Sequence, residues 1–171
     1  MKIVDNVIKE YDLNLLYTNL TSNLVPWTFN HNVAYGDGKM QYGFSTNVYD
    51  DGVLENPSLS LLLNPVYKQL KVKELIRCRI GFIFYSGGEE IHDPHVDFEF
   101  PHKTSLFYVN NSSGATVIYN EKYGDKFDQY TVKKKIEPVA NRIITFNGLQ
   151  YHSSSSPKEK GYRLVVTFNY R

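Results

Sequence analysis

His95 and Asp97 are separated by one residue, and His152 follows fifty-seven positions after the first histidine. Two neutral imidazole nitrogens and one hard carboxylate oxygen suit iron(II) better than the sulfur-rich sets of structural zinc sites, and three ligands on one face of an octahedron leave the other positions open. Cys78, the single cysteine, cannot build a thiolate site. If His95-Val96-Asp97 is extended, residues i and i+2 point to the same side and both ligands face one ion. Arg163 stands eleven positions beyond His152 in the apolar run 162–168. Its planar, permanently charged fork matches a carboxylate. A metal with vacant positions beside an anchor for an acidic co-substrate implies oxygenase chemistry.

These residues need strands to carry them. From Arg77 onward the sequence predicts short strands at 78–85, 95–99, 104–110, 115–120, 129–139, 141–147 and 162–170. A hairpin connection is expected at 110–114 and a looser turn at Tyr123-Gly124-Asp125. Many short strands mean a sandwich, barrel or jelly roll. In the last strand Leu164, Val166 and Phe168 share one face, assigned to helix packing, and Arg163, Val165 and Thr167 share the other, assigned to the barrel interior. Upstream, apolar residues at helical spacing predict a helix over 6–20 capped by Asp5. Residues 21–56, rich in Asn, Gly and aromatics including Trp27 and Tyr35, read as short strands and loops. A second helical stretch starts at Asn56-Pro57 and is interrupted at Asn64-Pro65.

The pattern over residues 77–171 resembles the prolyl 4-hydroxylase-like branch of the 2-oxoglutarate and iron(II)-dependent oxygenases. The matching pieces are the His-x-Asp, the distant second histidine, the basic residue one strand later, and Tyr85, ten positions before His95. The resemblance implies a mainly β fold, the double-stranded β-helix or jelly roll, with supporting N-terminal helices. It implies one domain over 1–171, in which 1–76 give helical and loop support on the substrate side and 77–171 form the core. It also implies His95, Asp97 and His152 as iron ligands, Arg163 on the far carboxylate of 2-oxoglutarate, Tyr85 and Thr167 beside that co-substrate, dioxygen as oxidant, and hydroxylation of an unactivated carbon. The substrate class it suggests is a prolyl residue in a peptide or a free amino acid, with Trp27 and Tyr35 as stacking surfaces. One departure is Phe107, which sits where a second cofactor-binding tyrosine is often found; the Thr167 hydroxyl is expected to compensate.

Composition permits this and narrows partners. A chain of 171 residues with 42% hydrophobic and 15% aromatic residues can fill one core, and 19 basic against 18 acidic residues give no broad field for nucleic acid or anionic membrane. The nucleic-acid demethylases of the superfamily usually carry a second arginine six residues after the first, whereas position 169 is Asn169. No long apolar run indicates export or a membrane span, so a reducing cytoplasm is expected.

An isolated His-x-Asp is a weak signal, and the joint pattern carries the reading. His92 and His102 are expected at the cavity entrance or in solvent, Lys133-Lys134-Lys135 on a solvated strand edge, and Cys78 in apolar surroundings. The competing class is a non-enzymatic, cupin-like jelly roll that binds a metal or sugar and has no need of Arg163 facing the metal. A structural jelly roll in which these residues are incidental is the third.

Overall fold

In the computed structural model, residues 1–31, 42–87 and 90–171 are described. Among them the elements are β1 (Lys2–Val4), α1 (Glu10–Leu20), β2 (Thr28–Asn30), β3 (Gly43–Asp50), β4 (Val53–Leu54), α2 (Pro57–Leu62), α3 (Asn64–Leu70), β5 (Leu75–Phe84), β6 (Lys103–Tyr108), β7 (Thr116–Lys122), β8 (Val132–Ile136), β9 (Arg142–Asn147), β10 (Gln150–Ser154) and β11 (Tyr162–Tyr170). A large antiparallel sheet runs β1-β9-β6-β11-β5-β3-β2, with β4 paired to β3, and a small one runs β10-β7-β8. Residues 91–95 extend the small sheet through single bridges, Ile91 to Ser155 and His95 to His152.

Consecutive segments cross between the sheets. β5 is in the large sheet, 91–95 beside the small one, β6 in the large, β7 and β8 in the small, β9 in the large, β10 in the small and β11 in the large. This alternation makes a jelly roll. The chain 110–114 is therefore a crossover between sheets and not the hairpin that its sequence predicts. Asn110 holds it: its amide donates to the Tyr162 carbonyl at 2.9 Å and its Oδ1 accepts from Leu164 N at 2.8 Å. The backbone there is so close to 155–157 that a Cβ on Gly114 would lie 2.6 Å from the Ser155 carbonyl oxygen.

β11 sits centrally and follows the alternation expected of it. Leu164, Val166 and Phe168 join Leu16, Leu20, Leu63 and Val66 in the helix-side core, and Val165 joins Leu106, Tyr108, Ile118, Ile144 and Phe146 between the sheets. The large sheet is not confined to 77–171, because β3 pairs along β5 and β1 pairs β9. Helix α1 starts at Glu10, four residues later than expected. Asp5 does not cap it but forms a two-pronged ion pair with Arg142, at 2.6 and 3.0 Å. Asn6 has φ +54°, and Ile8 is bonded through both its amide and its carbonyl to the Asn141 side chain, so the backbone of 5–8 is already engaged elsewhere. The second helical stretch behaves as expected: Asn56 caps α2 by accepting from Leu59 N at 3.0 Å, and the chain re-initiates at α3. Lys133, Lys134 and Lys135 are exposed on the edge strand β8, the turn at Tyr123–Asp125 closes with Gly124 at φ +91°, and Cys78 is fully buried.

Candidate metal centre

His95, Asp97 and His152 meet between the two sheets, with one potential ligand atom from each lying within 4.8 Å of the others. None of the three arrives there by the route expected. His95 and Asp97 are not on a continuous strand: His95 makes a single two-way backbone bridge with His152, at 2.9 and 3.0 Å, and the chain bends through Asp97. His152 lies on β10, a strand the sequence analysis did not identify. Gln150 anchors it by donating to the carbonyls of Tyr119, Asn120 and Glu121 at 2.6 to 3.0 Å, across an irregularity in the pairing with β7.

Each ligand is oriented by a second group. His95 Nδ1 lies 3.1 Å from the Asp93 carbonyl oxygen and His152 Nδ1 lies 3.1 Å from that of Gln150. A carbonyl can only accept, so each Nδ1 carries the proton and each Nε2 presents a lone pair. Asp97 Oδ1 accepts from Arg77 at 2.6 Å, and Oδ2 accepts from Asn169 at 2.8 Å and stands 3.8 Å from His152 Nε2. Asn169 also donates to Thr104 Oγ1 at 3.1 Å. Burial alone would raise the Asp97 pKa, yet its net shift is downward, because His152, Arg77 and His95 are close and Asn169 donates to it. Burial lowers the His152 pKa to about 4, helped by His95 and opposed by Asp97. At neutral pH Asp97 is therefore an anion and His152 a neutral imidazole, the protonation state a divalent ion requires of each.

The triad shares a cavity of about 100 Å³ with Arg163, Thr167, Thr116 and Leu106. Arg163 is 1% exposed. Its Nη2 donates to Thr116 Oγ1 at 2.8 Å and its guanidinium lies 5.7 Å from the Tyr108 ring centre, while Nε and Nη1 have no hydrogen-bond partner among the described residues. Burial lowers its pKa, and Tyr108 opposes that shift. Thr167 lies on the same face of β11 as Arg163, beside Leu106 and Arg79 in the register. Tyr85 stands one residue past β5, is 36% exposed, and is not among the residues that line the cavity. Phe107 points away, into the helix-side core, and Tyr108, the next residue, faces Arg163. The position read as a missing tyrosine is thus a core position, and the side chain facing Arg163 is that of Tyr108.

His92 and His102 are both buried, contrary to their expected place at the entrance or in solvent. His92 Nδ1 bonds Ser154 Oγ at 2.7 Å. His102 Nδ1 donates to the Phe100 carbonyl at 2.8 Å, and its ring fills the space over Gly148. Trp27 packs edge-on against Phe82 on the helix side of the sheet, away from the cavity, and Tyr35 lies outside the described residues. Arg77, Asn169, Tyr108 and Thr116 were not singled out for these roles. Their partners in the site are 20, 72, 55 and 47 residues away along the chain, separations that only the sheet register brings together.

No protein-family model and no curated protein matches the chain. Solved structures do. The non-haem α-ketoglutarate-dependent epimerase SnoN of nogalamycin biosynthesis superposes with a TM-score of 0.74 at 12% identity, covering 99% of this chain and 76% of that one. A prolyl hydroxylase from Trichoplax adhaerens, solved with a hypoxia-inducible-factor peptide fragment, gives 0.65 at 15% identity over 99% and 82%. HygX from Streptomyces hygroscopicus, with nickel and 2-oxoglutarate bound, gives 0.63 at 11% identity over 98% and 81%. The chain has the double-stranded β-helix fold. Among the described residues no helix is long and apolar enough to cross a membrane.

Proposed function

We propose that this protein is an iron(II)- and 2-oxoglutarate-dependent oxygenase that hydroxylates an unactivated C–H bond of an amino acid or peptide, proline being the first candidate. One observation carries the reading: a fully buried guanidinium with two unpartnered nitrogens shares a cavity with the two imidazoles and the carboxylate. A buried cation without an anion is costly, and leaving its donors unmade adds to that cost. A bound dicarboxylate removes both penalties. A cupin-like metal binder would have no reason to maintain them.

In this reading His95 Nε2, His152 Nε2 and an Asp97 oxygen hold the metal. Arg77 and Asn169 keep the Asp97 carboxylate ionised and fixed in orientation. The Arg163 guanidinium would receive the far carboxylate of 2-oxoglutarate, and Thr116 and Tyr108 hold that guanidinium in place. The Thr167 hydroxyl lines the same cavity, four residues along β11 from Arg163. Tyr85, past the strand end, lies outside the lining of this cavity. The bound metal and co-substrate supply the oxidation: dioxygen is consumed, 2-oxoglutarate becomes succinate and carbon dioxide, and one oxygen atom enters the substrate C–H bond.

Anaerobic titration with iron(II) and 2-oxoglutarate tests the proposal. The visible charge-transfer band of their chelate should appear in the native protein and be lost in His152→Ala. A protein that binds neither, or a His152→Ala variant with an unchanged band, would sink it. Mass spectrometry after aerobic reaction with free proline, prolyl peptides and methylated oligonucleotides then reads the substrate class; a gain of one oxygen is about 16 Da.

A further inference from the structure

Helix α3 ends at Leu70, and beyond it a cavity of about 380 Å³ opens over Ile143, Thr145 and Tyr170, with Val4 of β1 along its side. Ile143 and Tyr170 belong to the helix-side core, so this cavity lies on the face of the large sheet opposite to the metal centre. A second cavity of about 440 Å³, between the start of α1 and α3, adjoins it and shares Asn6, Val7 and Gln69 with it. The two make one groove that follows the chain from Lys2 to Lys9.

Charge in this groove is one-sided. Lys2 and Lys103 line one cavity and Lys9 and Lys68 the other, and Asp12 is the single carboxylate among the described residues of both linings. With 19 basic and 18 acidic residues the chain as a whole is nearly balanced, so the excess is local. All four lysines are exposed, and none forms an ion pair among the described residues. Lys103 Nζ stands 6.0 Å from the Tyr170 ring centre. Between the lysines the floor is apolar and buried, formed by Val7, Ile143 and Tyr170.

Three features select an occupant. Lysines stand in both cavities, so a ligand with one anionic head would neutralise one pair and leave the other, whereas a chain with several carboxylates meets both. The apolar residues are the floor of a concave groove, which a flat bilayer does not enter. β1 is the outermost strand of the large sheet, so a chain in the groove passes an open strand edge, where an extended peptide can hydrogen-bond.

We propose that this groove docks an acidic, extended segment of a partner protein, with carboxylates on the four lysines and apolar side chains on the floor. Alternate residues of an extended chain point to opposite sides, which lets one segment present both. The site lies across the sheet from the metal and stands independently of the oxygenase reading.

Fluorescence polarisation on the metal-free protein tests this with a labelled, soluble peptide alternating Glu with Leu or Thr. The same peptide with Gln for every Glu, decanoate as competitor, and mixed phosphatidylcholine–phosphatidylglycerol vesicles are the other probes. The Glu peptide should bind at low salt and weaken as salt is added, and the Gln peptide should bind at least tenfold more weakly. Lys2→Glu with Lys103→Glu, and separately Lys9→Glu with Lys68→Glu, should each lower affinity at least tenfold while circular dichroism stays as in the native protein. Lys133→Glu with Lys135→Glu, the same charge change on the exposed β8 edge, should alter it less than twofold. No binding of the Glu peptide, equal binding of the Gln peptide, native affinity in either groove variant, or an equal loss in the β8 variant would each overturn the proposal. Displacement of the peptide by decanoate, or vesicle binding that is lost in the groove variants, would also overturn it and assign the groove to a small anion or to a membrane. If one groove variant fails to fold, the other, on different elements, decides.

Discussion

On the proposed function, Arg163 is a single side chain whose stability cost is held for co-substrate binding. Two of its nitrogens are buried without partners, and burial already pushes its pKa down. Arg163→Met should therefore leave the thermal midpoint of the ligand-free protein no lower than native, yet abolish the stabilisation that 2-oxoglutarate confers. Differential scanning calorimetry with and without the co-substrate measures both. Arg163→Lys keeps charge but loses the fork, and should raise the 2-oxoglutarate requirement at unchanged iron affinity. Phe107 makes the opposite case. It lies in the helix-side core, so Phe107→Tyr should bury a hydroxyl without a partner and cost about 1–3 kcal/mol in chemical denaturation, with no change in co-substrate affinity.

Elements reach their places through a few tight contacts. The connection between β9 and β10 passes under His102, and a Cβ on Gly148 would come 2.1 Å from His102 Nε2. That ring lies 3.3 Å from Thr104, which is hydrogen-bonded to Asn169 and through it to Asp97. Gly148→Ala must push the ring aside, and we expect a loss of about 1–3 kcal/mol of stability together with weaker metal binding. Denaturant unfolding and a metal titration of the same sample check the two parts. The N-terminal segment is fixed by Asn141, at φ +64°, whose side chain bonds Ile8 twice. Asn141→Ala should cost about 1–3 kcal/mol, from two lost hydrogen bonds and a strained backbone, without altering the iron–2-oxoglutarate band.

Over the whole molecule, burial of neutral imidazoles ties stability to pH. Burial, Arg163 and His95 lower the His92 pKa to about 3, and burial with His95 lowers that of His152 to about 4, against 6.5 when unfolded. As pH falls below 6.5 the unfolded chain takes up protons that the folded one refuses, so these residues stabilise the fold above 6.5 and their contribution is lost between 6.5 and about 4 for His152, and about 3 for His92. The metal-free protein should lose thermal stability steadily from pH 7 to pH 4.5, and His92→Gln should flatten that slope. An equal slope in the variant would remove His92 from the account. Iron affinity of the folded protein should hold over most of that range and fall only as pH approaches about 4, where the His152 ring itself takes up a proton.

The sequence was sufficient for whatever follows from local alternation and from residue chemistry. The shared faces along β11 are one such case: its even spacing puts Arg163, Val165 and Thr167 together on one side and Leu164, Val166 and Phe168 on the other. The Asn56 cap, the break before α3 and the lysine edge on β8 are others, since each depends on a few adjacent residues. The three candidate ligands were legible as residue types at a spacing. How they converge was not, because His95 and Asp97 meet on a bend and not on a strand, and β10 has no apolar alternation to announce it; Gln150 and the β7 carbonyls create it. The crossover at 110–114, the burial of His92 and His102, and the opposite facing of Phe107 and Tyr108 turn on which sheet a strand joins and on register, where one residue reverses every side chain. The supports of Asp97 belong here too. Arg77 and Asn169 reach it only because β5 and β11 lie side by side, a pairing set by burial of the whole sheet and by no local signal in either strand.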